Sequence, residues 1–446
     1  MPEQLVHPDA IRARFAAAMS GMYRAEVPQY GALLELVAQV NAATLARDPM
    51  GADHYRRTGE IDRLASERHG AIRLGTPGEL AVIARAFAVM GMEPVGYYDL
   101  APAGLPVHST AFRPIDSGSL RRSPFRVFTS LLRPELIADA DLRAEAMAIL
   151  ARRSIVTPRA LQLIAKAEDA GGLTAPQAEH FVAELLETFR WHAEATVSAA
   201  DYRRLLAAHR LVADIVSFAG PHINHLTPRT LDIDAAHALM PAHGMKPKES
   251  IEGPPSRRCP VLLRQTSFMA LEEPVAFPQD GALVAGSHIA RFGEIEQRGA
   301  ALTPQGRSRY DAWLEADDGA AIPGLPDDWT QLRILGLCYF RYRATDQGKA
   351  VADGGGRLPN DPEALVATGH ATADPISYDD FLPVSAAGIF RSNLAGETHA
   401  GYSVTDGRTS FAEALGRDAL DPFALYDQAQ AASIAEMRIR LRISAA

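Results

Sequence analysis

The strongest constraint on the fold is an order of elements that occurs twice. From His69 the chain reads as a short strand (HGAIRLG, residues 69–75) followed by Thr76-Pro77-Gly78-Glu79. That tetrapeptide is a capping box with proline at the first helical position, a helix-start signal. The helix it opens, ELAVIARAFAVMGM, ends near Gly91. Three aromatic and β-branched runs follow, PVGYYDL, LPVHSTAFRPI and PFRVFTSLL, broken by proline, glycine and serine. The order over residues 69–132 is β-α-β-β-β. Residues 133–216 are helical in pattern, with Pro158 and Gly171-Gly172 as punctuation, and read as an insertion. Over 217–302 the order returns. A strand-like HINHLTPRTLDI leads to a short helix around Ala235 to His243, then to MKPKESIEG, CPVLLRQTSFMAL and HIARFGEIEQRGAALT.

Two such units that pair build one curved sheet around a central cup, the plan of the vicinal-oxygen-chelate fold. The expected class is therefore α+β. Residues 1–68 form a helical lead-in, with segments from about Pro8 to Arg24 and from Gln29 to Ala46. Residues 303–446 form a C-terminal extension that completes the site, all within one catalytic domain. In the extension, LRILGLCYFRYRA reads as a strand, and a final amphipathic helix is expected near 423–440. The glycines at 354–356 lack the lysine and hydroxyl residue of a phosphate loop and read as a simple loop.

Composition narrows function. The chain has 446 residues, 47% hydrophobic and 22% charged, which supports a large core. A net charge of -9 disfavours nucleic acid as a partner. Cys259 and Cys338 lie in apolar runs and read as buried thiols. The N-terminal MPEQLVHPDAIRARF has no apolar signal core and no run is long enough to span a bilayer, so a cytoplasmic protein without a membrane partner is expected. Oligomeric state is not legible.

The cup suits a metal. Two neutral imidazoles and one carboxylate leave iron(II) with a net positive charge and open coordination positions. His69 and His225 sit in the first strand of each unit, and Glu294 in the last strand of the second. His222 competes with His225, although three residues apart on a strand they face opposite sides. Glu296 competes with Glu294 on the same face, and His108 is a further candidate. Aligning the units places Val127 opposite Glu294, where valine cannot ligate. Arg73, four residues past His69, shares its face and could grip a carboxylate in paired hydrogen bonds. Arg113, Arg126, Arg264 and Gln265 are weaker candidates for that work.

Four stretches, ERHGAIRLGT, PHINHLTPRTLDID, FGEIEQRGAALT and DFLPVSAAGIFRSNL, resemble the motifs of the 2-oxoadipate dioxygenase/decarboxylase family, also called 2-hydroxyglutarate synthases. That family is similar in fold and chemistry to 4-hydroxyphenylpyruvate dioxygenase, whose metal-binding glutamate sits in a comparable E-I-x-Q-R strand. The resemblance implies His69, His225 and Glu294 on Fe(II), with Glu294 preferred over Glu296. It implies Arg73 on the distal carboxylate of the substrate, and Val384 and Ser385 against the substrate together with His69 and His225. The implied reaction takes 2-oxoadipate and O2 to 2-hydroxyglutarate and CO2, in lysine breakdown. The alternatives on the same cup are an extradiol-type dioxygenase, a glyoxalase-like isomerase or a non-catalytic metal-stabilised scaffold.

Overall fold

The computed structural model describes residues 4–316, 321–382 and 406–443. It is a mixture of helices and small sheets that falls into two units. The first takes in Met1–Glu252, Gln265–Glu296 and Pro383–Leu420. The second takes in Gly253–Arg264, Gln297–Leu382 and Asp421–Ala446.

In the first unit the chain opens with helices α1 (Pro8–Glu26), α2 (Pro28–Arg47), α3 (Pro49–Thr58) and α4 (Glu60–Ser66). The first three start on proline, whose missing N–H would have no helical partner at that position anyway. Strand β1 (Arg68–Leu74), helix α5 (Pro77–Val89) and strands β2 (Glu93–Asp99), β3 (Val107–Arg113) and β4 (Arg126–Leu132) follow. This is the expected order, with two extra short helical turns, at Ala101–Ala103 and Ser117–Arg122. Thr76 caps α5 by accepting from the Glu79 N–H at 3.2 Å. The Glu79 side chain reaches back to the Gly75 N–H at 2.7 Å and also takes a two-point ion pair from Arg153. The end of β1 is thereby tied to the helical segment beyond the sheet.

β1 pairs in parallel with β4, β4 antiparallel with β3, and β3 antiparallel with β2. On its other edge β1 meets β5 (Leu226–Pro228) antiparallel, with His69 opposite Thr227. The second repeat continues from there in looser form. Arg229 bridges in parallel to Glu296 on β9 (Glu294–Arg298), and β9 pairs with β6 (Leu263–Ser267). Pro247 and Glu252 bridge antiparallel to Phe268 and Gln265. The order of pairing on each side of the β1–β5 seam is similar, but β1 to β5 form one five-stranded sheet whereas β6 and β9 form a separate pair joined to the seam by the single Arg229–Glu296 bridge. The expected MKPKESIEG strand is reduced to those two bridges, and His225 lies one residue before its strand rather than in it.

Between β6 and β9 the chain inserts a hairpin, β7 (Glu272–Gln279) and β8 (Ala282–Ile289). Its turn is Asp280-Gly281, both at positive φ, the two-residue turn that matches strand twist. The segment expected as one strand from His288 onward is thus the end of β8 plus β9.

Alternation along β1 decides which side does what. Ile72 and Leu74 enter the core, where Phe15, Met19 and Tyr23 of α1 and Leu80, Ile83 and Phe87 of α5 also pack. Each such side chain contributes about 1.5–3 kcal/mol on burial. His69, Ala71 and Arg73 point the other way. In the second unit β10 (Phe340–Ala344) pairs antiparallel with β11 (Ala371–Pro375). The Phe340 and Tyr342 N–H groups donate to Gln430 and Ser433 of the helix Pro422–Arg440. The run read as one strand there is a helix, Trp329–Ile334, and then β10. Asp328 caps that helix, and Gly336 beyond its end has φ 63°. The glycines at 354–356 follow the helix Asp346–Asp353, Gly355 at φ 74°. Among the described residues no helix is long and apolar enough to cross a membrane.

Tyr23 ties α1 to the seam. It is fully buried, and its hydroxyl lies 2.9 Å from the Asn224 carbonyl and 2.7 Å from that of Phe292. Those residues immediately precede His225 and lie two before Glu294. Tyr23→Phe should cost about 1–3 kcal/mol, because the Phe292 carbonyl loses the hydroxyl donor while that of Asn224 keeps the Phe292 N–H at 3.2 Å. Urea unfolding with unchanged far-UV circular dichroism checks this; an unmoved midpoint would show that the hydroxyl contributes nothing.

Candidate metal centre

The β1–β5 register brings His69 beside the residues around Thr227, and β9 carries Glu294 to the same place. His69, His225 and Glu294 are buried, and their ligand atoms lie within 4.8 Å of one another. Glu294 Oε1 is 3.0 Å from His69 Nε2 and 3.9 Å from His225 Nε2. The imidazole rings meet edge to face at 5.5 Å. Thr227 and Gln265 both donate to Glu294 Oε1, at 3.0 and 2.8 Å, and fix the carboxylate from two sides. Gly293 must stay small here, since a Cβ would sit 2.0 Å from the Phe268 ring.

The donor set fits a divalent metal. Burial lowers the affinity of both imidazoles for protons, His225 well below the ordinary range with His69 and Arg73 adding to the effect. Neutral imidazoles offer lone pairs. Burial also pushes Glu294 upward against the pull of His69, so a lone anion here is costly. Glu294 Oε2 and His225 Nδ1 are buried without a hydrogen-bond partner among the described residues. A cation coordinated by the trio would relieve that cost.

Glu296 occupies a different position from Glu294. Its Oε2 lies 3.0 Å from His69 Nδ1, on the far side of the ring. A carboxyl group in that place would face a metal-binding imidazole from behind and leave Nε2 for a metal. Behind Glu296 stands a buried charge cluster. Arg126 donates to Glu296 at 2.9 Å and lies 3.5 Å from Glu67, which also meets Arg63 and Arg229. Burial alone would raise Glu67, yet Arg63, Arg229 and Arg126 outweigh it and hold the carboxyl down at about 2. Glu296 is pushed up to about 8 by burial, with Arg126 opposing.

The remaining candidates separate cleanly. His222 does not join the trio; its Nε2 lies 3.2 Å from Asp214 Oδ1. His108 packs against Tyr97 and Phe411, where burial and then Arg133 lower it to about 4. Arg113 donates to the Pro114 carbonyl, and Arg126 serves the charge cluster. Gln265 belongs to the centre, while Arg264 precedes it on β6. Val127 is buried, and β4 carries no carboxylate. Arg73 is buried and ion-paired to Asp214. Val384 and Ser385 lie outside the described residues.

Sequence reasoning missed Tyr23, Thr227, Asp214 and His288, and also Glu67, Arg63 and Arg229 of the charge cluster. Asp214 sits at the end of the helical segment that promised little chemistry. An Asp-Gly hairpin signal at Asp280-Gly281 was available and would have isolated His288 at a strand end.

Arg126→Leu leaves Glu67 and Glu296 without their shared cation and should destabilise by about 3–5 kcal/mol in urea unfolding. Glu67 has a lowered folded value, so its contribution is full above pH 4.5 and is lost as pH falls toward about 2. The variant should lose stability most clearly above that window. Equal stability of the two proteins at pH 7 would remove the cluster from the account.

Comparison with known proteins gives one answer. Residues 15–393 match the family model described as 2-oxoadipate dioxygenase/decarboxylase. A 2-oxoadipate dioxygenase/decarboxylase from Pseudomonas putida is 56% identical over 96% of both chains. One from Escherichia coli is 53% identical over 95% of this chain and 96% of its own. A crystal structure of the hydroxyglutarate synthase from Pseudomonas putida in complex with 2-oxoadipate superposes with a TM-score of 0.90. It is 53% identical and covers 98% of this chain and 99% of its own. The chain therefore belongs to the 2-oxoadipate dioxygenase/decarboxylase family.

Proposed function

We propose that this protein is an iron(II)-dependent dioxygenase that converts 2-oxoadipate and O2 to 2-hydroxyglutarate and CO2. The observation that carries the proposal is the convergence of His69, His225 and Glu294 in one buried cluster. Family membership supports the same reaction, since relatives above 50% identity bear that activity in their names. The finer fold assignment, two β-α-β-β-β units of vicinal-oxygen-chelate type flanked by a helical lead-in, insertion and extension, rests on the similar order of pairing either side of the β1–β5 seam.

In this reading His69, His225 and Glu294 hold the metal. Bound there, iron(II) supplies polarisation of the 2-oxo acid and activation of O2. The protein's residues orient the participants. Glu296 stands 3.0 Å from Nδ1 on the far side of the His69 ring, and Thr227 and Gln265 hold the Glu294 carboxylate. Arg73 meets the distal carboxylate of the substrate. It lies on the same face of β1 as His69, four residues along, so one strand sets the distance between metal and guanidinium. Val384 and Ser385 belong to the substrate contacts. The substrate contributes its own 2-oxo acid, so no second oxo acid is consumed. A role in lysine breakdown and a cytoplasmic setting, in which the buried Cys259 and Cys338 stay as thiols, complete the proposal.

Iron(II) loaded anaerobically should give equal O2 uptake and CO2 release with 2-oxoadipate at an oxygen electrode. His69→Ala, His225→Ala and Glu294→Ala should lose both iron and turnover. Full activity in any of them rejects the ligand set, and CO2 release without O2 uptake rejects the reaction. Arg73→Ala should weaken use of 2-oxoadipate by about 10–100-fold, the loss of a charge-assisted two-point contact. Monocarboxylic 2-oxo acids should be affected far less, and an equal loss for both would remove Arg73 from the distal carboxylate.

A further inference from the structure

A second buried cluster stands beside Arg73. Asp214 Oδ2 takes the Arg73 Nη1 donor. Asp214 Oδ1 is 2.8 Å from His288 Nε2 and 3.2 Å from His222 Nε2. Tyr202 OH lies 2.8 Å from His288 Nδ1. All these side chains are buried. They come from four elements: β1, β8, and the helices Ala199–Ala208 and Arg210–Val216; His222 is on the loop before His225.

Proton bookkeeping orders the chain. Burial, and then Asp214, push the Tyr202 hydroxyl up to about 12, so it remains a donor. Tyr202 O–H therefore donates to His288 Nδ1, and His288 Nε2–H donates to Asp214 Oδ1. Arg73 chiefly, with the imidazoles, keeps Asp214 ionised against its burial, well below the ordinary range. With Oδ1 committed to two imidazoles, Asp214 meets Arg73 through its other oxygen. Asn224, next to His225, accepts from Arg73 Nη1 at 2.9 Å in the amide orientation that also lets it donate to the Ala71 carbonyl. The guanidinium is thus held in place by Asp214 and Asn224.

We infer that Asp214 is a positioning residue for substrate choice, fixing Arg73 through a Tyr202–His288–Asp214 relay with His222 as a second support. This rests on the assignment of Arg73 to the distal carboxylate. It makes selection of a dicarboxylic acid depend on the helical segment and the β7–β8 hairpin, parts of the chain that supply no metal ligand. The same three groups, Asp214, His222 and His288, are also close enough to hold a metal. The adjoining Arg73 cation disfavours a second divalent ion there.

The test measures anaerobic binding to the iron-loaded protein by calorimetry. One ligand is 2-oxoadipate and the other is 2-oxohexanoate, which has the same length but no distal carboxylate. Asp214→Asn should weaken 2-oxoadipate about 10–100-fold, as expected when a charged partner is lost, and change 2-oxohexanoate little. Tyr202→Phe, farther along the relay, should shift 2-oxoadipate about two- to tenfold in the same direction. It carries the test if the first variant fails to fold. Asp214→Glu, which keeps the charge, should recover part of the preference. In steady state the change should appear in KM rather than kcat. Equal weakening of both ligands, or a fall in kcat alone, marks a merely structural role and overturns the inference. So does a content of two metals per chain that drops to one in Asp214→Asn. Arg73→Ala run alongside separates the failures. If it does not alter the preference, the reading of Arg73 fails and takes this inference with it. If it does while both relay variants leave the preference intact, only the relay is wrong.

Discussion

Antiparallel pairing of β1 with β5 is the contact on which the site depends. It sets His69 opposite Thr227 and so draws the His225 loop to the first strand. Gly70 permits the approach: a Cβ there would lie 2.5 Å from Ile223 and 3.1 Å from the His225 carbonyl. Three residue pairs make up this seam, few for a junction with such consequences. Tyr23 reinforces it from α1 by reaching two carbonyls of the second repeat. Lead-in helix, first repeat and second repeat are thereby fixed to one another close to His225 and Glu294.

The polar interior follows from what the seam brings together. Buried carboxylates are tolerated only with partners, and here each has several. Glu294 is balanced by the imidazoles and by two neutral donors. Glu296 is balanced by Arg126 and stands behind His69. Glu67 is held ionised by three arginines. Charge compensation runs outward in layers, from Glu294 through His69 and Glu296 to Arg126 and Glu67.

The first repeat was legible because its signals are local and strong. Strands of seven residues alternate with a capped helix, and Thr76-Pro77-Gly78-Glu79 marks the helix start within one residue. The second repeat was legible in order but not in detail. Its first strand is three residues long, its second is two bridges, and a hairpin splits the rest. His69, His225 and Glu294 were found by type and motif, and they do converge. Their separation from His222 and Glu296 depended on motif as well, since spacing left both open. Asp214 was not legible. It pairs with Arg73 across 141 residues of sequence, and nothing about a single aspartate near the end of a helix announces such a partner.

Among the described residues two buried clusters of histidine and carboxylate lie in the first unit. In the proposed function the His69, His225 and Glu294 cluster would hold iron, and the Asp214 cluster would hold the arginine proposed to meet the substrate. The most direct measurement is anomalous diffraction at the iron absorption edge from crystals of the protein loaded with iron(II). A single peak is expected within bonding distance of His69, His225 and Glu294, with Glu296 outside bonding distance. A peak among Asp214, His222 and His288, or one that takes Glu296 in place of Glu294, would contradict it.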